Sequence, residues 1–209
     1  MTYNHHKKAG NQGDCVKHPA LIAALDEALK STSNSELSFH YLDVFAGHAW
    51  HPLLGGKEYE WKKGIGKLAM GALPRDAPEC VKVWWSIWHD APEWPTTIPP
   101  GYPGSAWIAA HRCRSAERSV KLELYDRAEE VRRDLERAFP PSHDVQEDMA
   151  NVCLIGQSME PNTDLAVAAD FVFIDPPGWQ SQRNPQYPKW KTILDHVLTP
   201  HADGHPTLM

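Results

Sequence analysis

Residues 170–179 read "DFVFIDPPGW": an apolar run that stops abruptly at a carboxylate, two prolines and a glycine. Residues 171–174 are aromatic or β-branched and too few for a helix, so they predict a short buried strand. Proline fixes its own φ and removes a backbone donor, so Asp175-Pro176-Pro177 predicts a stiff loop projecting the aspartate and the neighbouring carbonyls at a set angle. Two readings of the loop stand side by side. It is a proline-stiffened turn, or it grips both hydrogens of an exocyclic amine and aligns the nitrogen lone pair for attack on a methyl group, which is catalysis by positioning.

Working outward, similar apolar runs recur between helical patterns. Residues 37–45 ("LSFHYLDVF"), 119–125 ("SVKLELY") and 151–156 ("NVCLIG") predict strands. Residues 19–30, opening with Pro19 and placing Leu21, Leu25 and Leu29 four apart, predict an amphipathic helix. Further helices are predicted at 79–90, at 126–139 with Asp126 as the cap, and at 187–198. The prolines of 91–104 argue against regular structure there. Near-continuous apolar strands alternating with helices predict an α/β fold, a parallel sheet covered by helices on both faces.

The bulk composition fits one folded domain. The chain has 209 residues, 42% hydrophobic and 23% charged. No apolar run approaches the roughly 20 residues of a membrane helix, and the polar start does not resemble a signal peptide. Four dispersed cysteines with no CxxC pair predict reduced thiols and a cytoplasmic setting. A formal charge of −6 gives no overall basic field, so nucleic-acid binding would need a local patch. His48, His51, His201 and His205 have no partners at recognised ligand spacing, so no metal site is expected. Trp84, Trp85 and Trp88 read as packing residues rather than a base-stacking platform.

Three other stretches bear on chemistry. "DVFAG" (43–47) ends a strand in a glycine turn, which is either an ordinary exit or a place where a cofactor approaches the backbone. Glu123, near the end of its strand, is either a solvated carboxylate or an acceptor for ribose hydroxyls. The amino-terminal "YNHHKKAGNQGDCVKH" has the polarity of a flexible tail, yet its glycines and cations also suit an arm that contacts a phosphate or a cofactor.

Taken in order, "YNHHKKAGNQGDCVKH", "YLDVFAG", "YPGSAWIA" (102–109), the Glu123 strand and "FIDPP" resemble the large-subunit ribosomal RNA adenine-N6 methyltransferase family known as RlmJ. That resemblance implies a Rossmann-like class I fold of one domain over 1–209, with a small helical insertion at 47–104, and S-adenosylmethionine as cofactor. It implies that His18, Ser105 and Glu123 contact the cofactor, with Lys17 and Gly47 beside it and Gln157 at its adenine. Tyr3 and His5 would belong to an arm closing over the target base, Asp175 would hold the amine, and the carbonyl of Pro176 would assist. The implied partner is RNA, most naturally ribosomal RNA.

The chain departs from the family pattern in three places. Gly178 follows Asp-Pro-Pro where the family has an aromatic residue stacked on the flipped base, and Trp179 comes one place later. Gln157 stands where an acid is usual. Only residues 176–209 follow Asp175, which predicts that the C-terminal strands of the sheet are missing from this chain; it is then a truncated relative, a fragment, or one piece of an assembly in which a second copy or a partner supplies the sheet edge. The alternatives are a methyltransferase-derived binding or structural protein without activity, and a methyltransferase acting on a small molecule.

Overall fold

The computed structural model describes residues 5–32, 38–53, 59–68, 73–89, 101–140, 150–156 and 169–175. Its centre is a parallel sheet in the order β5-β4-β1-β6, formed by Ala150–Gly156, Val120–Tyr125, Phe39–Asp43 and Phe171–Phe173. Since β4 and β6 lie on opposite sides of β1, the chain reverses its direction of winding at β1. Crevices at such switch points, outside the carboxyl ends of the strands, are where open α/β sheets bind ligands.

Strand pleating divides the residues between two faces. Phe39 and Tyr41 of β1 lie beside Val120 and Leu122 of β4. They join one core with Leu21, Ile22 and Leu25 of α2 (Asp14–Ser31), Ala106 and Ile108 of α5 (Ser105–Ser115), and Val131 and Leu135 of α6 (Glu129–Ala138). Removing each such Leu or Ile side chain from water stabilises the fold by about 1.5–3 kcal/mol. Among the described residues the opposite face carries a smaller cluster of Leu42, Val44 and Ala169, packed by Phe45, Tyr125, Val172 and Ile174.

The segment between β1 and α5 contains a two-stranded antiparallel ribbon, β2 (Trp50–Pro52) with β3 (Gly101–Pro103). It also contains the 3-10 turn η1 (Glu60–Lys63), the short α3 (Ile65–Leu68) and α4 (Glu79–His89). In α4, Trp84 is buried and donates its indole N–H to Tyr102 at 3.2 Å, while Trp88 donates to the Gly101 carbonyl at 3.0 Å. The tryptophan cluster is therefore packing, as its helical spacing predicts.

Several boundaries differ from expectation. Helix α2 begins at Asp14, not Pro19, which lies inside it. The first turns are held from outside the helix ladder: Cys15 N–H bonds to the Asn11 carbonyl at 3.1 Å, and Gly10 N–H bonds to the Asp14 carboxylate at 2.8 Å. The proline-rich stretch does contain regular structure, since β3 pairs with β2 at its end. Asp126 is not the cap of α6, where Ala128 holds that position; its carboxylate instead accepts from Ala128 N–H at 2.8 Å and from Gly47 N–H at 3.2 Å. The predicted 187–198 helix lies outside the described residues. No helix among the described residues is long and apolar enough to cross a membrane.

Candidate functional site

The site is built where β1 ends. After Asp43 the chain passes between its two neighbours: Val44 N–H bonds to the Phe173 carbonyl of β6 at 3.2 Å, and Ala46 N–H to the Tyr125 carbonyl of β4 at 3.0 Å. The strands part at this point, and the chain turns at Gly47, whose φ of +61° is the left-handed region open to glycine. Asp126 at the end of β4 holds the Gly47 N–H, and Asp134 of α6 accepts from Ala49 N–H at 3.2 Å and lies 3.2 Å from His48 Nδ1. Two carboxylates of the β4–α6 unit thus fix the turn.

Asp43 is fully buried and meets three donors. Ser105 Oγ, at the first residue of α5, donates to Oδ2 at 2.6 Å; Tyr41 Oη donates to the same oxygen at 3.1 Å; Phe45 N–H donates to Oδ1 at 3.0 Å. Burial still dominates over these donors and pushes the Asp43 carboxyl up to about 7. Ser105 is positioned by Gly104, whose N–H bonds to the Ala49 carbonyl at 2.9 Å. A Cβ on Gly104 would lie 2.1 Å from the His48 carbonyl oxygen, so the "YPGS" turn needs glycine there.

From the helical side, α2 presents Lys17 and His18. Lys17 forms an ion pair with Asp175, just beyond β6, and lies 3.2 Å from Asp14. Burial pulls the Lys17 ammonium down, but Asp175 and Asp14 together outweigh it and leave its pKa raised. His18 is buried, stacked on Tyr102 with ring centroids 5.3 Å apart, and its Nδ1 lies 2.7 Å from Tyr102 Oη. Burial, helped by the Lys17 charge, lowers His18 to about 3, so its ring is neutral. Burial also raises Tyr102 well above the ordinary phenol, keeping its proton. The tyrosine therefore donates to Nδ1, and the imidazole proton is assigned to Nε2.

Of the residues singled out from sequence, Lys17, His18, Gly47, Ser105 and Asp175 are gathered around this strand end. Glu123 is placed differently. It is 1% exposed, which excludes a solvated strand-end carboxylate; Tyr125 Oη donates to its Oε1 at 2.7 Å, and its Oε2 lies 2.8 Å from His40 Nε2. His5 begins the short helix α1 (His5–Lys8). Tyr3, Gln157, Pro176, Gly178 and Trp179 lie outside the described residues. From residue 8 onward the amino-terminal stretch is not a loose tail: Lys8 pairs with Glu60, and Ile65 N–H bonds to the Gly10 carbonyl at 2.9 Å.

Sequence reasoning passed over Asp43 as a site residue, although it stands in "DVFAG". A carboxylate at the end of a strand rich in aromatic and apolar residues was the available signal. Among the described residues there is no group of three or more His, Cys, Asp or Glu side chains that could hold a metal ion.

No protein-family model matches the chain. The chain is 34% identical over 129 residues to ribosomal RNA large subunit methyltransferase J of Haemophilus influenzae, a match covering 60% of this chain and 43% of that protein. This likeness supports an rRNA methyltransferase family. A crystal structure of a DUF519 protein from Legionella pneumophila superposes with a TM-score of 0.62 and 19% identity over 90% of this chain and 63% of that one, which bears on the fold. The chain thus spans less than half the length of the curated relative it matches.

Proposed function

We propose that this chain is an S-adenosylmethionine-dependent methyltransferase domain that modifies an adenine N6 amine in RNA, with ribosomal RNA as the substrate class. The observation that carries the reading is the convergence of Asp175, Lys17, Asp43 and Ser105 where β1 and β6 end. The likeness to a protein named as a ribosomal RNA methyltransferase supports the same reading. Segment 47–104 is proposed as the inserted subdomain.

The donor set suits the cofactor. S-adenosylmethionine has an ammonium, a carboxylate and a ribose, and when bound it supplies an electrophilic methyl group on a sulfonium. Asp43 with Ser105, the Gly47 turn and neutral His18 are proposed to hold it. A glycine in the left-handed region leaves the backbone bare for close approach. Glu123 would meet the ribose by exchanging the Tyr125 hydroxyl for a ribose hydroxyl, and Gln157 would meet the adenine. Asp175 is the group proposed to hold the substrate amine by accepting a hydrogen bond from it, aided by the Pro176 carbonyl. Lys17 pairs with the Asp175 carboxylate and so fixes its position. Tyr3, His5 and Trp179 are proposed to contact the base.

The test is Asp175→Ala, with methyl transfer to an adenine-containing RNA hairpin measured beside calorimetry of S-adenosylmethionine binding. Transfer is expected to vanish while binding persists. Transfer at the parent rate would remove Asp175 from its assigned role, and cofactor binding without transfer by the parent protein would favour a non-catalytic binding module.

A further inference from the structure

The chain carries a net charge of −6, yet two segments remote in sequence that the fold joins each carry three lysines. Residues 5–17 contribute Lys7, Lys8 and Lys17, and residues 59–68 contribute Lys62, Lys63 and Lys67; Asp14 and Glu60 are the acids within them. The fold joins these segments closely. A Cβ on Gly64 would lie 2.2 Å from the Gly10 carbonyl oxygen, Gly10 has a φ of +70°, and the Lys8–Glu60 pair ties α1 to η1. Lys62, Lys63 and Lys67 are exposed, and the Lys62 ammonium lies 5.8 Å from the centroid of the Trp61 ring.

A chain of contacts links these segments to the candidate site. Ile65 N–H bonds to the Gly10 carbonyl, Gly10 N–H to the Asp14 carboxylate, Asp14 lies against Lys17, and Lys17 pairs with Asp175. A protein of net negative charge repels a polyanion at long range, so a nucleic-acid substrate needs a local region of opposite sign. Lysine is a strongly hydrated point charge suited to single phosphates rather than to planar bidentate pairing.

We infer that the joined surface of η1 and α3, with Lys62, Lys63 and Lys67, binds the sugar-phosphate backbone of RNA flanking the nucleotide presented to Asp175. The inference rests on the proposed reading of Asp175 as facing a nucleic-acid base, and it identifies what holds the rest of that substrate. Phosphate contacts of this kind set register and orientation and carry no sequence information.

The experiment compares the parent chain, the triple variant Lys62→Gln/Lys63→Gln/Lys67→Gln, and a control triple, Lys30→Gln/Arg114→Gln/Arg133→Gln, which removes the same charge elsewhere. Binding of a fluorescein-labelled single-stranded RNA is followed by anisotropy over a salt series, and S-adenosylmethionine binding by calorimetry. The patch variant is expected to lose at least about tenfold in RNA affinity, and its salt dependence to become shallower by about 2 in log–log slope, roughly 0.7 for each lost phosphate contact. The control triple should keep most of the parent slope, and cofactor affinity should be unchanged in all three. Equal losses in both triples, parental RNA affinity in the patch variant, or a parent that does not bind RNA would overturn the inference. A parent that binds RNA through these lysines but does not bind S-adenosylmethionine would uphold the surface and sink the methyltransferase reading instead.

Discussion

Lys17 and Asp175, 158 positions apart in the chain, meet as an ion pair at the carboxyl edge of the sheet. The contact ties the start of α2 to the chain segment that follows β6. Both side chains keep contact with water, at 40% and 32% exposure, which limits what the pair contributes to folding. Exposed pairs of this kind stabilise by about 1 kcal/mol or less. Lys17→Met is therefore expected to shift the urea midpoint little and to lower methyl transfer more than about tenfold, because Asp175 loses the cation that holds it. A large stability loss with normal transfer would make the pair structural only.

Asp43 and His18 predict opposite responses of stability to pH. Asp43 is raised from its ordinary 3.8 to about 7, so its contribution is fully present below 3.8 and is lost as pH rises through about 7. His18 is lowered from 6.5 to about 3, so its contribution is present above 6.5 and is lost as pH falls through about 3. Between 3.8 and 6.5 the two slopes oppose and largely cancel. Thermal midpoints measured over this range should be nearly flat in the parent as far as these two groups decide it. They should rise with pH in Asp43→Asn and fall with pH in His18→Gln. Identical profiles in all three proteins would show that neither group has the protonation behaviour its burial implies.

Asp126 supports the Gly47 turn from the end of β4. Its carboxylate satisfies Gly47 N–H in the turn and Ala128 N–H before α6. Asp126→Ala leaves both donors without that acceptor and should cost about 1–3 kcal/mol. Because the Gly47 turn loosens with it, S-adenosylmethionine affinity should fall as well. Asp126→Asn keeps one of the two accepting oxygens and sets an amide NH2 against the other N–H, so it should recover only part of either loss, as read by urea unfolding and calorimetry side by side.

Gly104→Ala tests the "YPGS" turn. The added methyl would meet a backbone oxygen at 2.1 Å, and a backbone group cannot swing aside as the end of a long side chain can. A loss of at least about 2 kcal/mol is expected, in the range of strained or overpacked buried sites. Displacement of Ser105 from Asp43 should accompany it, visible as a weaker cofactor affinity. Parental stability in the alanine variant would refute the close approach.

Strand identity was legible from short runs rich in β-branched, aromatic and apolar residues, which 119–125, 151–156 and 170–175 supply. Helix α4 was legible from the spacing of Val81, Trp84, Trp85 and Trp88. The beginning of α2 was not: Pro19 is the strongest local start signal, yet Asn11, Gly10 and Asp14 organise a start five residues earlier through contacts outside the helix ladder. Asp126 looked like a cap because it precedes a helical pattern, and only the neighbouring Gly47 turn drew its carboxylate into a bridge.

By itself, the sequence determined the alternation of strands and helices among the described residues and the glycine turn at 47, since these follow from local propensity and hydrophobic period. The tertiary structure decided which polar groups meet. It placed Lys17 against Asp175, buried Asp43 beside Ser105, turned Glu123 toward His40 and Tyr125, and joined the amino-terminal segment to 59–68. Such pairings depend on strand order and on the face to which each side chain points. Parallel strands are joined by long crossovers, so the partners come from distant parts of the chain and no local pattern records them.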